Sequence, residues 1–337
     1  MDLVTGATGI VGRELLSQLL ASGDSVRALH RKDSAVQATV EFITNKGISL
    51  DGLEWVLGDT RDFDDMCSAM DGCSRVFHLA ALVSLSPSDA EILMDVNRGG
   101  TETVVNAMLA TGLKDLIYVS SVAALGHTTK HPINEDTPFE DGPLVTAYSL
   151  SKYKAELEVW RGSEEGLSVI IVNPSVIIGE GDFSKSSGKL FSHAHAGVPV
   201  YPAGTNGFVS SHDVASATMT LANSGIRGER FLLNSENLSF KDAFSMIALS
   251  VEAQPPIKVV KNWMISIAIL LFRLNKLFTG KPMLASKASM KMSQTQTQYD
   301  GTRIISALKS QGIDWKYESV KEVISRVGAA YLRLHLR

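Results

Sequence analysis

The stretch "AYSLSKYKAE" places Tyr148 and Lys152 four residues apart. On a helix this spacing puts both side chains on one face. A phenol has a reference pKa of about 10, and a neighbouring ammonium group lowers that pKa because it favours the ionised form. The pair therefore predicts a tyrosine that exchanges a proton with a substrate. The alternative is a surface pair without a catalytic role, since the same spacing often arises by chance.

Two serines form the second candidate group. The apolar run "LIYVSSV" predicts a strand that delivers Ser120 and Ser121 to its C-terminal end. Parallel sheets bind their ligands at that end of the strands. A hydroxyl there can hydrogen-bond an oxygen of the substrate. The residues themselves leave open which serine would do so.

Three glycines at three-residue intervals, Gly6, Gly9 and Gly12, separate an apolar segment from an amphipathic one in "VTGATGIVGRELL". A strand, a glycine-rich turn and a helix bind the pyrophosphate of a dinucleotide, because backbone N–H groups and the helix N-terminus face the anion. The pattern departs from the common G-x-G-x-x-G form. The alternative is a tight turn without a ligand.

The ends of the next two predicted strands bear on the type of dinucleotide. Roughly 20 residues after such glycines, a carboxylate would bind the ribose 2′-OH of NAD. The stretch "RALHRK" offers His30, Arg31 and Lys32 instead, and an arginine suits the 2′-phosphate of NADP. A solvated basic turn is the alternative. Asp59, in "GDTRD", is expected to accept from the adenine amino group, with a plain turn aspartate as the alternative.

These groups need a scaffold, and the first half of the chain predicts one. Short apolar runs alternate with helical patterns at Arg13–Ala21, Asp64–Met70, Ala90–Ala110 and Ala147–Arg161. Strands that are apolar throughout and alternate with helices indicate a parallel sheet that is covered on both faces. We therefore predict a doubly wound α/β fold.

A smaller lobe is expected to follow this sheet. After Pro174 the alternation gives way to loops rich in Gly, Ser and Pro, and from Ser239 the pattern is mostly helical. We predict a dinucleotide-binding domain over residues 1–174, with a return segment near 207–234 in which "RGERFLLN" adds a strand. Residues 175–206 and 235–337 are expected to form a mostly helical substrate-binding lobe.

Composition narrows the classes of partner. The net charge is -4, from 32 basic and 36 acidic residues without long runs of one sign, which argues against a nucleic-acid surface. We expect a small-molecule substrate. Cys67 and Cys73 have no metal-ligand or redox spacing, and no secretory leader is recognised before Val4, so we expect a reducing, cytoplasmic location.

Two further features are interpreted as structural. The segment "WMISIAILLF", Trp263 to Phe272, is shorter than the roughly 20 residues of a membrane span and is expected to be a buried helix. A substrate-pocket or subunit-contact helix and interfacial membrane attachment are the alternatives. His193 and His195 would point in different directions on a helix, so no metal site is expected.

Taken in order, the motifs resemble those of the extended short-chain dehydrogenases/reductases, the NAD-dependent epimerase/dehydratase superfamily. The resemblance rests on the glycine turn, Asp59, "HLAA", "SSVAALG", the Tyr148 and Lys152 pair and "NPSVIIG". It covers almost the whole chain. The stretches "VRALHR" and "VNPSVIIG" are most similar to dihydroflavonol 4-reductases and the related 3β-hydroxysteroid dehydrogenases.

This resemblance implies a Rossmann fold and assigns roles to residues. The implied catalytic set is Ser121, Tyr148 and Lys152, with Asn97 as a supporting member, and Ser121 is preferred to Ser120 because it stands five residues before Gly126. The implied cofactor-binding residues are Gly6, Thr8, Gly9, Ile10, Gly12, Arg31, Asp59, Thr60, Leu79, Ala80, Ala81, Tyr148, Lys152, Pro174 and Ser175.

The resemblance also implies a function. We expect an NADP-dependent reductase that transfers hydride to a carbonyl, with Tyr148 as the proton donor, and a homodimer formed through the helices that carry Asn97 and Tyr148. A nucleotide-sugar epimerase or dehydratase with tightly bound NAD is the first alternative, and a non-catalytic NADP(H)-sensing regulator is the second. Sugar-nucleotide enzymes often carry an arginine where this chain has Asn206 and Gly207 in "GTNGFVSSHDVA". Leu125 stands before Gly126, where the family usually has an aromatic residue, so the identity of the substrate stays open.

Overall fold

The structure is a computed structural model that describes residues 1–32, 34–261, 263–267, 269 and 286–335. The strands are β1 (Asp2–Thr5), β2 (Val26–His30), β3 (Leu53–Leu57), β4 (Arg75–His78), β5 (Asp115–Val119), β6 (Ser168–Pro174), β7 (Val176–Ile178), β8 (Val200–Tyr201), β9 (Thr205–Ser210), β10 (Glu229–Leu233), β11 (Glu236–Ser239) and β12 (Lys258–Val259). The helices are α1 (Ile10–Ala21), α2 (Val36–Asn45), α3 (Phe63–Met70), α4 (Ala90–Leu93), α5 (Gly100–Thr111), α6 (Ala147–Glu164), α7 (Lys189–His195), α8 (Ser211–Asn223), α9 (Phe240–Ser250), α10 (Lys287–Met292), α11 (Arg303–Ser310) and α12 (Val320–His335).

A seven-stranded parallel sheet forms the centre of the fold, in the order β10-β6-β5-β4-β1-β2-β3. The direction of winding reverses between β1 and β4. Open α/β sheets bind ligands in the crevice at such a reversal, beyond the C-terminal ends of the strands. The predicted doubly wound fold is confirmed, and the glycine turn that follows β1 lies at this crevice.

Strand residues alternate between two hydrophobic layers, which explains why the strands are apolar throughout. Val4 and Ile117 pack on the layer that contains Leu15 of α1, whereas Leu3 and Tyr118 pack on the opposite layer. Successive side chains of a strand point to opposite faces of a sheet. Both faces are thus buried by helices, and the C-terminal strand ends are left to carry the functional groups.

The C-terminal part of the chain is mostly helical, as predicted. Helices α7, α9 and α12 pack around a separate apolar cluster that includes Phe191, Ile247 and Val323. A three-stranded sheet, β11-β9-β7, joins this cluster to the main body. The strand β10 arises from the stretch "RGERFLLN" and pairs with β6 at the edge of the main sheet.

Several element bounds differ from the sequence prediction. Helix α1 begins at Ile10 rather than Arg13, because the glycine turn itself leads into the helix. The helix predicted over Ala90–Ala110 contains a π-helical turn, Met94–Gly99, between α4 and α5. Helix α2 was not predicted, since it is rich in β-branched residues, which favour strand over helix.

The apolar segment that starts at Trp263 is described only in part. Residues 263–267 are helical, and residues 268 and 270–272 lie outside the described residues. Ile265 is buried, whereas Trp263 is 62% exposed, so this part of the segment is not wholly interior. In the described ranges, no helix combines the length and the apolar character needed to cross a bilayer. Likewise, no metal-binding group of His, Cys, Asp or Glu side chains occurs there.

Candidate active site

The glycine turn packs so closely that side chains would not fit. Gly6 has φ +68°, and a Cβ atom on it would lie 2.6 Å from the backbone nitrogen of Ala80. A Cβ on Gly12 would lie 2.2 Å from the carbonyl oxygen of Gly6. The turn closes on itself through a 3.0 Å hydrogen bond from Gly9 N–H to that same oxygen. Two of the three glycines are therefore required by packing within the turn and against the chain that follows β4.

The N-terminus of α1 fits an anionic group. Gly9 is the N-cap residue, and no side chain among the described residues caps the helix. The first backbone N–H groups of a helix lack intrahelical acceptors and carry a partial positive charge, so they favour a pyrophosphate. Thr8 and Ile10 flank this position.

The end of β4 lies beside the glycine turn. The backbone N–H groups of Leu79 and Ala80 point to Thr5 Oγ1, at 3.2 and 3.3 Å. Residues 79–81 therefore line the same crevice as the turn. Across the crevice, after β6, the buried hydroxyl of Ser175 has no hydrogen-bond partner in the described part of the chain. Buried hydroxyls usually have a hydrogen-bond partner, so this one fits a site in which a polar group on the ring of a bound cofactor would be that partner.

The candidate adenosine end contains an ion-pair network that the sequence analysis did not foresee. Both carboxylate oxygens of Asp59 accept from Arg61, which also binds Asp95 at 2.7 Å. The side-chain hydrogen bonds of Arg61 lower the pKa of Asp59 below its usual value. Thr60, the neighbour of Asp59, is buried beside Gly100. Arg31 is exposed at the end of β2. The cofactor roles of these residues stay predictions.

Helix α6 positions the tyrosine and the lysine. Its N-cap residue is Thr146, whose hydroxyl accepts a hydrogen bond from Ser149 N–H. The Ser149 hydroxyl in turn accepts from the backbone N–H of Thr146. This capping box fixes the start of the helix just before Tyr148. Lys152 follows one turn later and is 1% exposed.

Ser121 meets the tyrosine from the end of β5. Its hydroxyl accepts from Ala123 N–H at 3.1 Å and so holds a short turn that bends the chain. Burial raises the pKa of Tyr148, and a polar interaction with the Ser121 side chain opposes this rise. Ser120 points elsewhere, because its hydroxyl donates to Glu156 at 2.8 Å. The geometry thus favours Ser121 over Ser120 as the partner of Tyr148.

The expected effect of Lys152 on Tyr148 is wrong for this structure. The ammonium group of Lys152 donates to Tyr118 Oη at 2.7 Å and to the carbonyl oxygen of Val119 at 3.1 Å. Both acceptors belong to β5, so the ammonium group lies against the sheet. Burial lowers the pKa of Lys152 to about 7, while the charge of Glu156 opposes that change. The pKa of Tyr148 is consequently raised by burial rather than lowered by the ammonium group.

Asn97 lies on the π-helical turn and is buried. Its Nδ2 atom donates to Leu82 O at 3.0 Å and to Ser151 Oγ at 2.9 Å, and its Oδ1 atom accepts from Leu82 N–H at 2.7 Å. These bonds join the chain after β4 to the helix that carries Tyr148 and Lys152. Asn97 therefore acts on the position of α6.

Sequence reasoning missed three buried residues behind the site. Tyr118 binds Lys152, and Asn173 and Glu156 bind each other at 2.9 Å beneath the serines. A signal for Glu156 was present, since it lies four residues after Lys152 and therefore on the same helix face. Nothing in the sequence pairs Tyr118 or Asn173 with α6.

The family model described as "NAD dependent epimerase/dehydratase family" matches residues 3–233 of the chain. This span contains the glycine turn, both serines and the tyrosine and lysine pair. The chain belongs to the NAD-dependent epimerase/dehydratase family. It is thus an enzyme of a family whose members use nicotinamide dinucleotides, and the predicted family is confirmed.

Relatives within this family include oxidoreductases. Sterol demethylase protein B of Methylococcus capsulatus is 34% identical over 276 residues, which cover 80% of this chain and 80% of that protein. A putative dihydroflavonol 4-reductase of Synechocystis sp. is 32% identical over 270 residues, which cover 77% and 75%. The crystal structure of gox2253 is 29% identical, with a TM-score of 0.80 over 99% of this chain and 98% of that chain.

Proposed function

We propose that this family member is an NADP-dependent oxidoreductase that reduces a carbonyl group, or oxidises the corresponding secondary alcohol, of a small apolar substrate. One observation carries the proposal. Helix α6, which carries Tyr148, packs on the turn that Ser121 starts at the C-terminal edge of the sheet, and the buried side chain of Lys152 lies one helical turn from Tyr148. These groups lie on the ligand-binding side of a doubly wound sheet, as the glycine turn does.

The chemistry follows from what each side chain can do. The bound nicotinamide would supply or accept the hydride. Tyr148 would give its proton to the carbonyl oxygen, since its raised pKa leaves the phenol protonated at neutral pH. Ser121 would donate a hydrogen bond to the same oxygen as negative charge grows on it. Lys152 would hold the hydroxyls of the nicotinamide ribose, and Asn97 would support the helix.

The Tyr148→Phe variant tests this role. Removal of the proton donor should lower kcat by roughly 10²–10⁴-fold while the Kd for NADPH stays within about twofold, since the phenol contributes mainly to the chemical step. Tyr153→Phe on the same helix is the matched control, because its ring stacks on Phe139 at 4.1 Å outside the site. Turnover by Tyr148→Phe at the wild-type rate would overturn the proposed mechanism.

The packing around Gly207 favours a reductase over a nucleotide-sugar enzyme. Any Cβ atom at this position would lie 2.2 Å from Asn234 Oδ1, so an arginine that clamps a diphosphate has no room there. Its neighbour Asn206 uses Oδ1 to accept from Gly207 N–H. An epimerase would retain NAD through purification and convert sugar nucleotides without added reductant. A regulator that only senses NADP(H) would bind NADPH and oxidise none of it with a panel of ketones and aldehydes.

Preference for NADP rests on the basic end of β2. Arg31 and Lys32 are exposed there, and an arginine can bind the 2′-phosphate with two hydrogen bonds. We expect Arg31→Ala to weaken NADPH binding by about tenfold or more and to leave NADH binding within about twofold. Fluorescence titrations with both cofactors measure this difference. Equal losses for NADPH and NADH would contradict it.

An apolar substrate is favoured by the relatives and by the C-terminal lobe. Two relatives carry names that refer to a sterol and to a dihydroflavonol. Between α7 and α9 lies a cavity of about 100 Å³ whose lining is mostly apolar, including Leu190, Phe244 and Ile247. We propose that residues 175–206 and 235–337 form the substrate lobe around residues 1–174 and the return segment 207–234. We also propose a cytoplasmic homodimer.

A further inference from the structure

A buried carboxylate lies directly behind the proposed catalytic residues. Glu156 of α6 is 2% exposed. Its Oε2 atom accepts from Ser120 Oγ at 2.8 Å and from Asn173 Nδ2 at 2.9 Å, and its Oε1 atom accepts from Arg230 at 2.8 Å. A buried charge is tolerated only when it is paired and hydrogen-bonded. Three donors satisfy this carboxylate and fix it in place.

The same network reaches the backbone of Ser121. The side-chain nitrogen Nδ2 of Asn173 donates one hydrogen bond to Glu156 and a second, at 3.0 Å, to the carbonyl oxygen of Ser121. Ser120, the preceding residue, is bound to Glu156 directly. Glu156 therefore holds the end of β5 at two consecutive residues. The orientation of the Ser121 hydroxyl depends on the backbone that is held in this way.

Glu156 also shares a helix face with Lys152. The two residues are one turn apart on α6, a separation at which side chains of a helix interact. A negative charge at that distance favours the ammonium form of lysine, whereas burial disfavours it. Tyr118 and Val119 offer neutral acceptors to Lys152. Among the described interactions of Lys152, Glu156 supplies the only opposite charge, and the other titratable side chains around it are Tyr118 and His78, which stack on each other.

We propose that Glu156 is a positioning residue, which fixes Ser121 through Asn173 and Ser120 and places a carboxylate one helical turn from Lys152, with Arg230 as its own counterion. This inference rests on the proposed function for its catalytic consequence. Its structural consequence, the protonation of Lys152, does not. The two can therefore be tested separately.

Glu158 provides a matched control on the same helix. Glu158 bridges two arginines, Arg98 at 2.9 Å and Arg161 at 3.0 Å, and its side chain is 12% exposed. Both of its described partners lie outside the site. Glu156→Gln and Glu158→Gln each remove one arginine-paired carboxylate from α6, and only the first removes a carboxylate one helical turn from Lys152.

The first measurement is independent of activity. Protein labelled with ¹³C at the lysine side chains is titrated by NMR without cofactor, and Lys152→Met identifies the resonance. We expect the Lys152 titration to move to lower pH by about one unit or more in Glu156→Gln, because the ammonium form loses its stabilising charge. In Glu158→Gln it should stay where it is in the wild type. An unmoved Lys152 titration in folded Glu156→Gln overturns the inference.

The second measurement concerns the reaction. We expect kcat of Glu156→Gln to fall at least about tenfold, with its alkaline limb at lower pH, while KM changes little. A purely structural defect would reduce the folded fraction without moving the pH limb. If the wild type reduces no carbonyl in the panel, the proposed function fails, and the NMR result still decides the effect on Lys152.

A conservative variant covers the case in which Glu156→Gln does not fold. Glu156→Asp keeps the charge and shortens the reach to Ser120 and Asn173. We expect its Lys152 titration to stay near that of the wild type and its kcat to fall by at least about fivefold. Wild-type kcat in Glu156→Asp would show that the contacts to the serine end of β5 are dispensable, which contradicts the positioning role.

Discussion

At the scale of single residues, Lys152 shows a conflict between stability and function. A lysine that is 1% exposed loses its hydration, and burial accordingly lowers its pKa to about 7. In the unfolded chain the pKa of lysine is about 10.4. Between these values the unfolded state binds a proton that the folded state does not. Burial of the Lys152 ammonium group therefore lowers the free energy of unfolding by its full amount below about pH 7, and this destabilisation declines as the pH rises.

Comparison with Lys152→Met measures that destabilisation. The free energy of unfolding of the wild type should increase relative to that of Lys152→Met as the pH rises from 7 to about 10. The slope should be at most about 1.4 kcal/mol per pH unit. Denaturant titrations at several pH values give the slope. Lys154→Met is the control, because Lys154 is exposed on the same helix and should show no such trend. Parallel pH profiles for all three proteins would contradict a shifted lysine.

At the scale of elements, the junction of β1, the glycine turn and α1 is the most constrained part of the crevice. The turn packs on the chain after β4, and helix α1 packs on α8 through the core layer that contains Leu15 and Val214. Displacement of the turn therefore moves the helix N-terminus that is proposed to face the pyrophosphate. A backbone atom cannot move away from an added methyl group as easily as the end of a flexible side chain can.

Gly12→Ala tests this junction. The added Cβ would meet the Gly6 carbonyl oxygen, so we expect a loss of about 1–3 kcal/mol of stability and at least about tenfold weaker NADPH binding. Thermal unfolding and fluorescence titration measure the two effects. Gly142→Ala is the control, because a Cβ there meets nothing within 4 Å. Wild-type affinity and stability in Gly12→Ala would show that the turn is not a rigid part of the site.

At the scale of the whole molecule, the outer face of α6 is the surface on which the proposed homodimer depends. Leu157 is 46% exposed there, next to the ion pairs of Glu158 with Arg98 and Arg161. An exposed leucine among ion pairs suits an interface that has an apolar centre and a polar rim. The same helix carries Tyr148 and Lys152 on its inner side, so association would also brace the site.

Light scattering on the purified protein tests the proposed dimer. We expect a mass of twice 36.3 kDa for the wild type and a shift toward 36.3 kDa for Leu157→Glu, because a buried unpaired charge destabilises an apolar contact. Leu249→Glu is the control, since Leu249 is 65% exposed on α9. A monomeric wild type, or equal behaviour of both variants, would contradict an interface at α6.

The sequence by itself determined the strands of the main sheet and their order along the chain. Apolar strands, helical periodicity and the spacing of Gly6, Gly9 and Gly12 are local properties, and backbone sterics and burial translate them directly into a parallel sheet with a bare turn. The four-residue spacing placed Tyr148 and Lys152 on one helix for the same reason. Their roles in cofactor binding and catalysis stay predictions.

Only the tertiary structure decided how these groups interact. The partners of Lys152 lie on β5, about 34 residues earlier in the chain, and those of Glu156 lie directly after β5, on β6 and on β10. Asp59 is likewise bound by an arginine that also holds Asp95 on the π-helical turn. Such contacts join side chains whose separation along the chain carries no periodic signal. Their charges and burial set each pKa, and therefore the chemistry, only after the strands have been ordered in the sheet.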